Sequence, residues 1–218
     1  MLVLASNSPR RKQLLELGGW TFDTLAAEID ERALPGETPR DYVLRLAESK
    51  ARQAARWAPP EAVILAADTT VVDGEDILGK PRDAEEAESM LRRLRGHTHQ
   101  VYTALAALRP VDGALLLDCC STDVPMRYTS DEEIQDYIAT GDPLDKAGAY
   151  AIQHAGFHPV ENLEGCFANV MGMPLCLVSR MLVQMGIDPA ADAALACQGA
   201  LNYQCPVSPQ FLGIRETG

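Results

Sequence analysis

The run AVILAADTTVV, residues 62–72, limits the fold more than any other part of the sequence. It is apolar and β-rich, has the length of a strand, and is followed at Asp73-Gly74 by hairpin-turn residues, with DILGKP returning. Such a segment calls for covering layers on the sheet it joins. One residue breaks its character. Asp68 ends the stretch VILAA, and a carboxylate buried there is costly unless a metal ion or a lysine meets it. From the residue alone two readings stay open: Asp68 caps the following turn through its own backbone, or it is a reacting group with the hydroxyl of Thr69 beside it.

The flanking segments alternate in type. LVLAS reads as a buried strand and SPRRKQLLELGG as a helix with Ser8 as N-cap, Pro9 in the first turn and Gly18 as stop. TPRDYVLRLAESKARQAARWAPP predicts a second helix, capped by Thr38, opened by Pro39, apolar at Val43, Leu46, Ala47 and Ala51, and ended by Pro59; Lys50 lies well inside it. DAEEAESMLRRLRG predicts a third, with Asp83 and Glu86 as a capping box and Gly96 as terminator. HQVYTALAALRP and ALLLDCCSTDVPMRYT flank a turn at Val111-Asp112-Gly113 and predict an antiparallel hairpin. SDEEIQDYIATGD repeats the cap logic with Ser130 and Glu133, AGAYAIQ reads as a further strand, and PLCLVSRMLVQMG as an apolar helix from Pro174 to Gly186. The expectation is an α/β protein with a mixed sheet over residues 1–188. Residues 189–218 are expected as a C-terminal appendage, in part without fixed structure.

Bulk properties narrow the function. The chain has 218 residues, 47% of them hydrophobic, and no apolar run able to span a bilayer, so a soluble, globular protein with no membrane partner is expected. MLVLASNSPRRK reverses the charge order of a secretory signal, which points to the cytoplasm. A net charge of −12, from 31 acidic and 19 basic residues, argues against a nucleic-acid polymer as partner but leaves room for a small anion held by a few placed cations. The six cysteines contain no C-x-x-C pair and read as reduced thiols. His97, His99, His154 and His158 have no convincing third metal ligand and read as structural or surface residues.

Two motifs bear on that anion. GEDILGK, residues 74–80, has the spacing of a phosphate-binding loop up to its lysine, but Pro81 follows where a hydroxyl and an N–H are needed, and the hairpin already uses Gly74. The phosphate-loop reading is therefore rejected, although Lys80 is held on a stiff turn between Gly79 and Pro81. In SNSPRR two arginines enter the first turn of a helix, where the dipole disfavours them unless an anion is held there. Arg10, Arg11, Lys50 and Lys80 as cations, with Glu31 and Asp68 as carboxylates, form the equipment for a polyphosphate and its divalent metal.

LASNSPRRKQLLE, RLAESKA, AADTTVV with LGKP, MLRRLRGHTHQVYTALA and AGAYAIQ with NVMGMPL, in this order from Leu2 to Met185, resemble the signatures of the Maf proteins, nucleoside triphosphate pyrophosphatases first associated with septum formation. The resemblance implies a two-lobed mixed-sheet fold like that of the inosine triphosphate pyrophosphatases, with a substrate cleft between lobes and a homodimer. It implies hydrolysis of a nucleoside triphosphate between the α and β phosphates with Mg²⁺ or Mn²⁺. By the same resemblance Asp68 is the proton acceptor, Glu31, Lys50 and Lys80 complete the catalytic group, and Glu31 and Asp68 hold the metal. Ser8, Arg10, Arg11, Thr69 and Gln153 meet the substrate. Thr69 and Gln153 look like the branch acting on dTTP and UTP, whereas another branch prefers 7-methyl-GTP. His154 stands where the family has glycine.

Overall fold

The apolar run is an 11-residue strand, β3 (Val63–Asp73), and the sheet is built on its two edges. In the computed structural model, which describes residues 1–212, one edge carries β1 (Leu2–Leu4), parallel to β3 from Leu2↔Val63 to Leu4↔Leu65, with β2 (Phe22–Thr24) parallel outside it. Farther along that edge β4 (Asp76–Leu78) folds back antiparallel, Val71 opposite Leu78. The other edge carries β5 (Thr98–Arg109), which forms the expected antiparallel hairpin with β6 (Ala114–Pro125). The strand order is β2-β1-β3-β5-β6, with β4 beside β3.

Eight α-helices surround this mixed sheet among the described residues: α1 (Pro9–Leu17), α2 (Pro39–Ala54), α3 (Ala84–Leu94), α4 (Asp131–Ala139), α5 (Phe167–Val170), α6 (Leu175–Gln184), α7 (Ala193–Leu201) and α8 (Ser208–Leu212). Alternation along the strands decides which helix meets which residue. Ile64, Ala66, Ala104 and Ala106 face α2, which meets them with Val43, Ala47, Ala51 and Ala54. These short side chains let the helix lie close to the sheet. Leu65, Ala67, Leu105 and Ala107 face the opposite layer, which includes Leu175, Leu177 and Val178 of α6. The far ends of the long strands feed a separate core, where Val71, Val101 and Val124 pack with Leu91 and Leu94 of α3 and Ile134 and Tyr137 of α4. The strands thus run through two lobes.

Most predicted helix ends hold. Ser8 caps α1, Thr38 caps α2, and Ser130 with Glu133 closes a full capping box on α4. At α3 only half the box forms: Asp83 accepts from Glu86 N–H at 2.9 Å, while the Glu86 carboxylate takes the Arg82 N–H at 2.7 Å. Helix α2 stops at Ala54 and passes into a turn before Pro59, and the edge strand β2 had no signal in the sequence strong enough to draw it. AGAYAIQ is not a strand. Residues Ala147–Ala149 form a 3₁₀ turn with Gly148 at φ +67°, and the Gly148 N–H bonds to the Gly79 carbonyl at 3.0 Å. The segment is apolar because Ala149, Tyr150 and Ile152 pack in the second core, and among the described residues no strand of the sheet pairs with it.

Past residue 188 the chain is ordered into α7, capped by Asp192, which buries Ala193, Ala194 and Cys197, and then into the short α8. Residues 213–218 of the expected appendage lie outside the described residues.

Candidate active site

The edge of β3 has a gap. β1 leaves it after Leu65 and β4 joins it at Val71, so residues 66–70 have β5 on one side and no strand on the other. Asp68 lies in the middle of this gap, not at a strand end, and pairs in register with Ala104. Into the gap opens a cleft of about 400 Å³, walled by Ser6–Arg11 and Lys50 from the first lobe and by Lys80, Lys146 and Gln153 from the second.

On the α2 face of β3, Lys50 Nζ lies 2.5 Å from Asp68 Oδ1 and 2.7 Å from Glu31 Oε1. The close seating of α2 on the sheet is what brings a lysine from its middle turn to the strand. Asp68 is 6% exposed. Burial pushes its carboxyl above the ordinary range against the pull of Lys50 and Arg11. Glu31 is exposed at the rim; burial opposes its ionisation, but Lys50, Lys80 and Arg11 outweigh that and hold it below the ordinary value. Its loop is pinned to α2, since Tyr42 donates from its hydroxyl to the Glu31 carbonyl at 2.8 Å and Arg45 donates to the Arg32 carbonyl at 3.1 Å. Sequence reasoning missed Tyr42 and Arg45, which read there as ordinary helix residues.

Thr69 points to the opposite face, as successive strand residues must. There Arg11 donates from Nη1 to the Ala67 carbonyl at 2.8 Å, from Nη2 to Thr69 Oγ1 at 3.1 Å, and from Nε to the Gly172 carbonyl at 3.1 Å. The expectation made Arg11 a substrate cation. In the structure each guanidinium nitrogen already bonds to protein, and Nη1 satisfies a backbone acceptor at the open edge. Burial lowers the Arg11 pKa, against the charge of Asp68. Behind Thr69, Thr103 Oγ1 lies 3.0 Å away and donates to the buried Asn169 carbonyl at 2.9 Å. Thr103 and Asn169 were also missed, although a buried asparagine in an apolar stretch is a signal that something is being held.

Arg10, Ser8, Lys80 and Gln153 line the cleft, as does Thr69. Ser8 also serves its own helix, its Oγ accepting the Arg11 N–H as cap. Lys146, which the sequence did not single out, enters the wall with its ammonium bonded to Asp142 and Asp145 at 2.8 and 2.6 Å. His154 turns away from the cleft, its Nδ1 accepting the Phe157 N–H at 3.0 Å and its ring beside Tyr137. His99 is buried with Nε2 2.7 Å from the Tyr150 hydroxyl, and burial lowers its pKa to about 4, in keeping with a structural role.

Among the described residues no group of three or more His, Cys, Asp or Glu side chains could cage a metal ion. Asp68 engages Lys50 through Oδ1 only, and Glu31 through Oε1. Two carboxylates with an oxygen each to offer fit Mg²⁺, which takes one or two carboxylates and completes its shell with water and substrate phosphates.

The sequence model of one family, described as Maf-like protein, matches residues 1–185. The dTTP/UTP pyrophosphatase of Anaeromyxobacter dehalogenans (strain 2CP-C) is 49% identical over 187 residues, taking in 85% of this chain and 94% of that protein. The dTTP/UTP pyrophosphatase of Escherichia coli O157:H7 is 46% identical over 182 residues, 83% of this chain and 91% of that protein. Among solved structures, that of the Staphylococcus aureus Ham1 protein aligns over 74% of this chain and 80% of its own with a TM-score of 0.44 at 16% identity, a likeness too distant to carry an argument.

Proposed function

The chain belongs to the Maf-like protein family, and on that premise we propose that it hydrolyses nucleoside triphosphates, dTTP and UTP foremost, between the α and β phosphates to give monophosphate and pyrophosphate. The observation that carries the reading is the buried Asp68, held by Lys50 at the open edge of β3 in a cleft shared with Arg10, Lys80 and Gln153. The names of relatives at 46–49% identity support the same substrates.

In this reading Asp68 takes the proton from the attacking water. A general base works best when its pKa lies near the working pH, and the upward push from burial moves Asp68 in that direction. Lys50 holds the carboxylate by one oxygen and so sets where the other points. Arg10 and Lys80 draw in the phosphate chain, and arginine's forked donors match phosphate oxygens. Glu31, with Asp68 beside it, would hold Mg²⁺ or Mn²⁺, which would neutralise phosphate charge and polarise the phosphoryl oxygens. Arg11 acts from behind, fixing the two residues that flank Asp68. Thr69 and Gln153 read the base. The family resemblance also supports a homodimer and a cytoplasmic location; no helix among the described residues is long and apolar enough to cross a membrane.

The test is a panel of nucleoside triphosphates with Mg²⁺ or Mn²⁺, followed for pyrophosphate and orthophosphate. Pyrophosphate from dTTP and UTP is expected. Orthophosphate as the sole inorganic product overturns the reading. Tight binding without turnover would point to a nucleotide-binding regulator of cell division. Faster turnover of 7-methyl-GTP would move the chain to the other branch, a preference that Gln153→Glu should then strengthen.

A further inference from the structure

The family match ends at residue 185, and the Anaeromyxobacter relative is nearly used up by an alignment that leaves 15% of this chain over. The residues beyond that limit nonetheless reach the loop that leads into the cleft wall. Asp192 caps α7 by accepting the Ala194 and Leu195 N–H groups at 2.9 and 3.0 Å, which starts the helix with Ala193, Ala194 and Cys197 turned into the core. Asn202, at φ +47°, ends it in a left-handed turn. Tyr203 N–H returns to the Gln198 carbonyl, and Gln198 Oε1 accepts the Cys205 N–H at 3.0 Å. That doubly tied turn sends the Tyr203 side chain back across the molecule.

The Tyr203 hydroxyl lies 2.9 Å from the Leu163 carbonyl and 2.8 Å from the Gly165 carbonyl, positioned to donate to either, and its ring sits against Phe167. The loop it grips has little slack. A Cβ on Gly165 would come within 2.4 Å of Thr122 Cγ2, so the loop is caught between β6 and the tyrosine. The next residue, Cys166, is the N-cap of α5. From α5 the buried Asn169 donates to the Val101 carbonyl and to Thr122, while its own carbonyl accepts from Thr103. Three residues on, the Gly172 carbonyl receives Arg11, and Val170, Met171 and Gly172 form part of the cleft lining.

We infer that the C-terminal extension is a positioning element for the nucleotide cleft and that Tyr203 is its positioning residue, gripping the 163–165 loop so that α5 and Gly172 keep Arg11 and Thr69 in register. The inference deepens the pyrophosphatase reading and rests on it for its kinetic consequence. Lys50, Asp68 and Glu31 hang on α2, β3 and the loop before α2, whereas the hydrogen bonds of Tyr203 go to Leu163, Gly165 and Gln198. Loosening the brace reaches Asp68 only indirectly, through the bonds of Arg11 to Ala67 and Thr69, and should weaken substrate binding more than the chemical step.

The experiment compares wild type with Tyr203→Phe, which keeps the ring and removes the hydroxyl, by two measurements. Steady-state turnover of dTTP and UTP should show KM raised about five-fold, the scale of one lost hydrogen bond, with kcat within a factor of about two. Amide hydrogen exchange without nucleotide should show faster exchange at residues 166–173, with β1, β3 and α2 unchanged. Exchange is independent of the activity, so a wild type that hydrolyses no triphosphate would sink the pyrophosphatase reading while the brace is still judged by exchange. Unchanged exchange at 166–173 overturns the brace. So does faster exchange with unchanged KM in an active enzyme, or a parallel fall in stability and active fraction with the KM of the surviving enzyme intact, which is what a purely structural tyrosine would give.

Discussion

Asp68 is where burial and the proposed chemistry meet on one side chain. Its folded-state pKa is raised above the ordinary value, chiefly by burial. The sign follows: folding favours the protonated form, so this group's contribution to stability is complete below the unfolded pKa and is lost as pH rises through the folded one. Asp68→Asn, nearly isosteric but unable to take a proton, should lower kcat by at least about 100-fold. The same variant should unfold at a temperature no lower than wild type at neutral pH, with the two proteins converging under acid, because Lys50 keeps Glu31 as a partner. Activity of wild type should fall with acid along a limb set by Asp68, above the usual carboxylate range. Thermal unfolding and pH–rate profiles of the two proteins check these outcomes; a wild-type kcat in the variant would remove Asp68 from the chemistry.

Among the elements, the turn at Ala147–Ala149 shows how a wrongly read segment can still be indispensable. Gly148 holds φ +67°, and a Cβ there would stand 2.8 Å from Val71 Cγ2. Its N–H reaches the Gly79 carbonyl, next to Lys80, so the turn ties one cleft cation to the second lobe. Gly148→Ala should destabilise the protein by about 1–3 kcal/mol through strain and overpacking, and should raise KM because Lys80 moves. Denaturant titration and kinetics measure the two effects; a variant with wild-type stability would show that the close approach to Val71 relaxes freely.

The whole molecule consists of two lobes joined by β3, β5 and β6, with cations lining the cleft contributed by both. A nucleotide that bridges Arg10 and Lys80 binds the folded form alone and must stabilise it by mass action. A non-hydrolysable α,β-methylene analogue of dTTP with Mg²⁺, at about 100 times its Kd, should raise Tm by about 5 °C or more. Lys80→Ala should reduce the rise at the same concentration, since it removes one of the second lobe's cleft cations and leaves the core intact. An equal rise in the variant would show that Lys80 does not engage the phosphates.

Much of this arrangement was legible along the chain because its causes are local. Helix caps at Ser8, Thr38 and Ser130 answer to the needs of one helical turn, and the β5–β6 hairpin to alternation about a Gly113 turn. Asp68 stood out because a carboxylate in an apolar run needs a partner. The sequence by itself determined which side chains were available for phosphate chemistry and where most of the long strands and helices run. Only the tertiary structure decided that β1 stops short of β4 and leaves β3 open, that Arg11 bonds to that open edge, that AGAYAIQ packs as a turn, and that Tyr203 reaches back to the loop before α5. Each of these depends on contacts between residues far apart in the chain, and no local propensity or spacing carries that information.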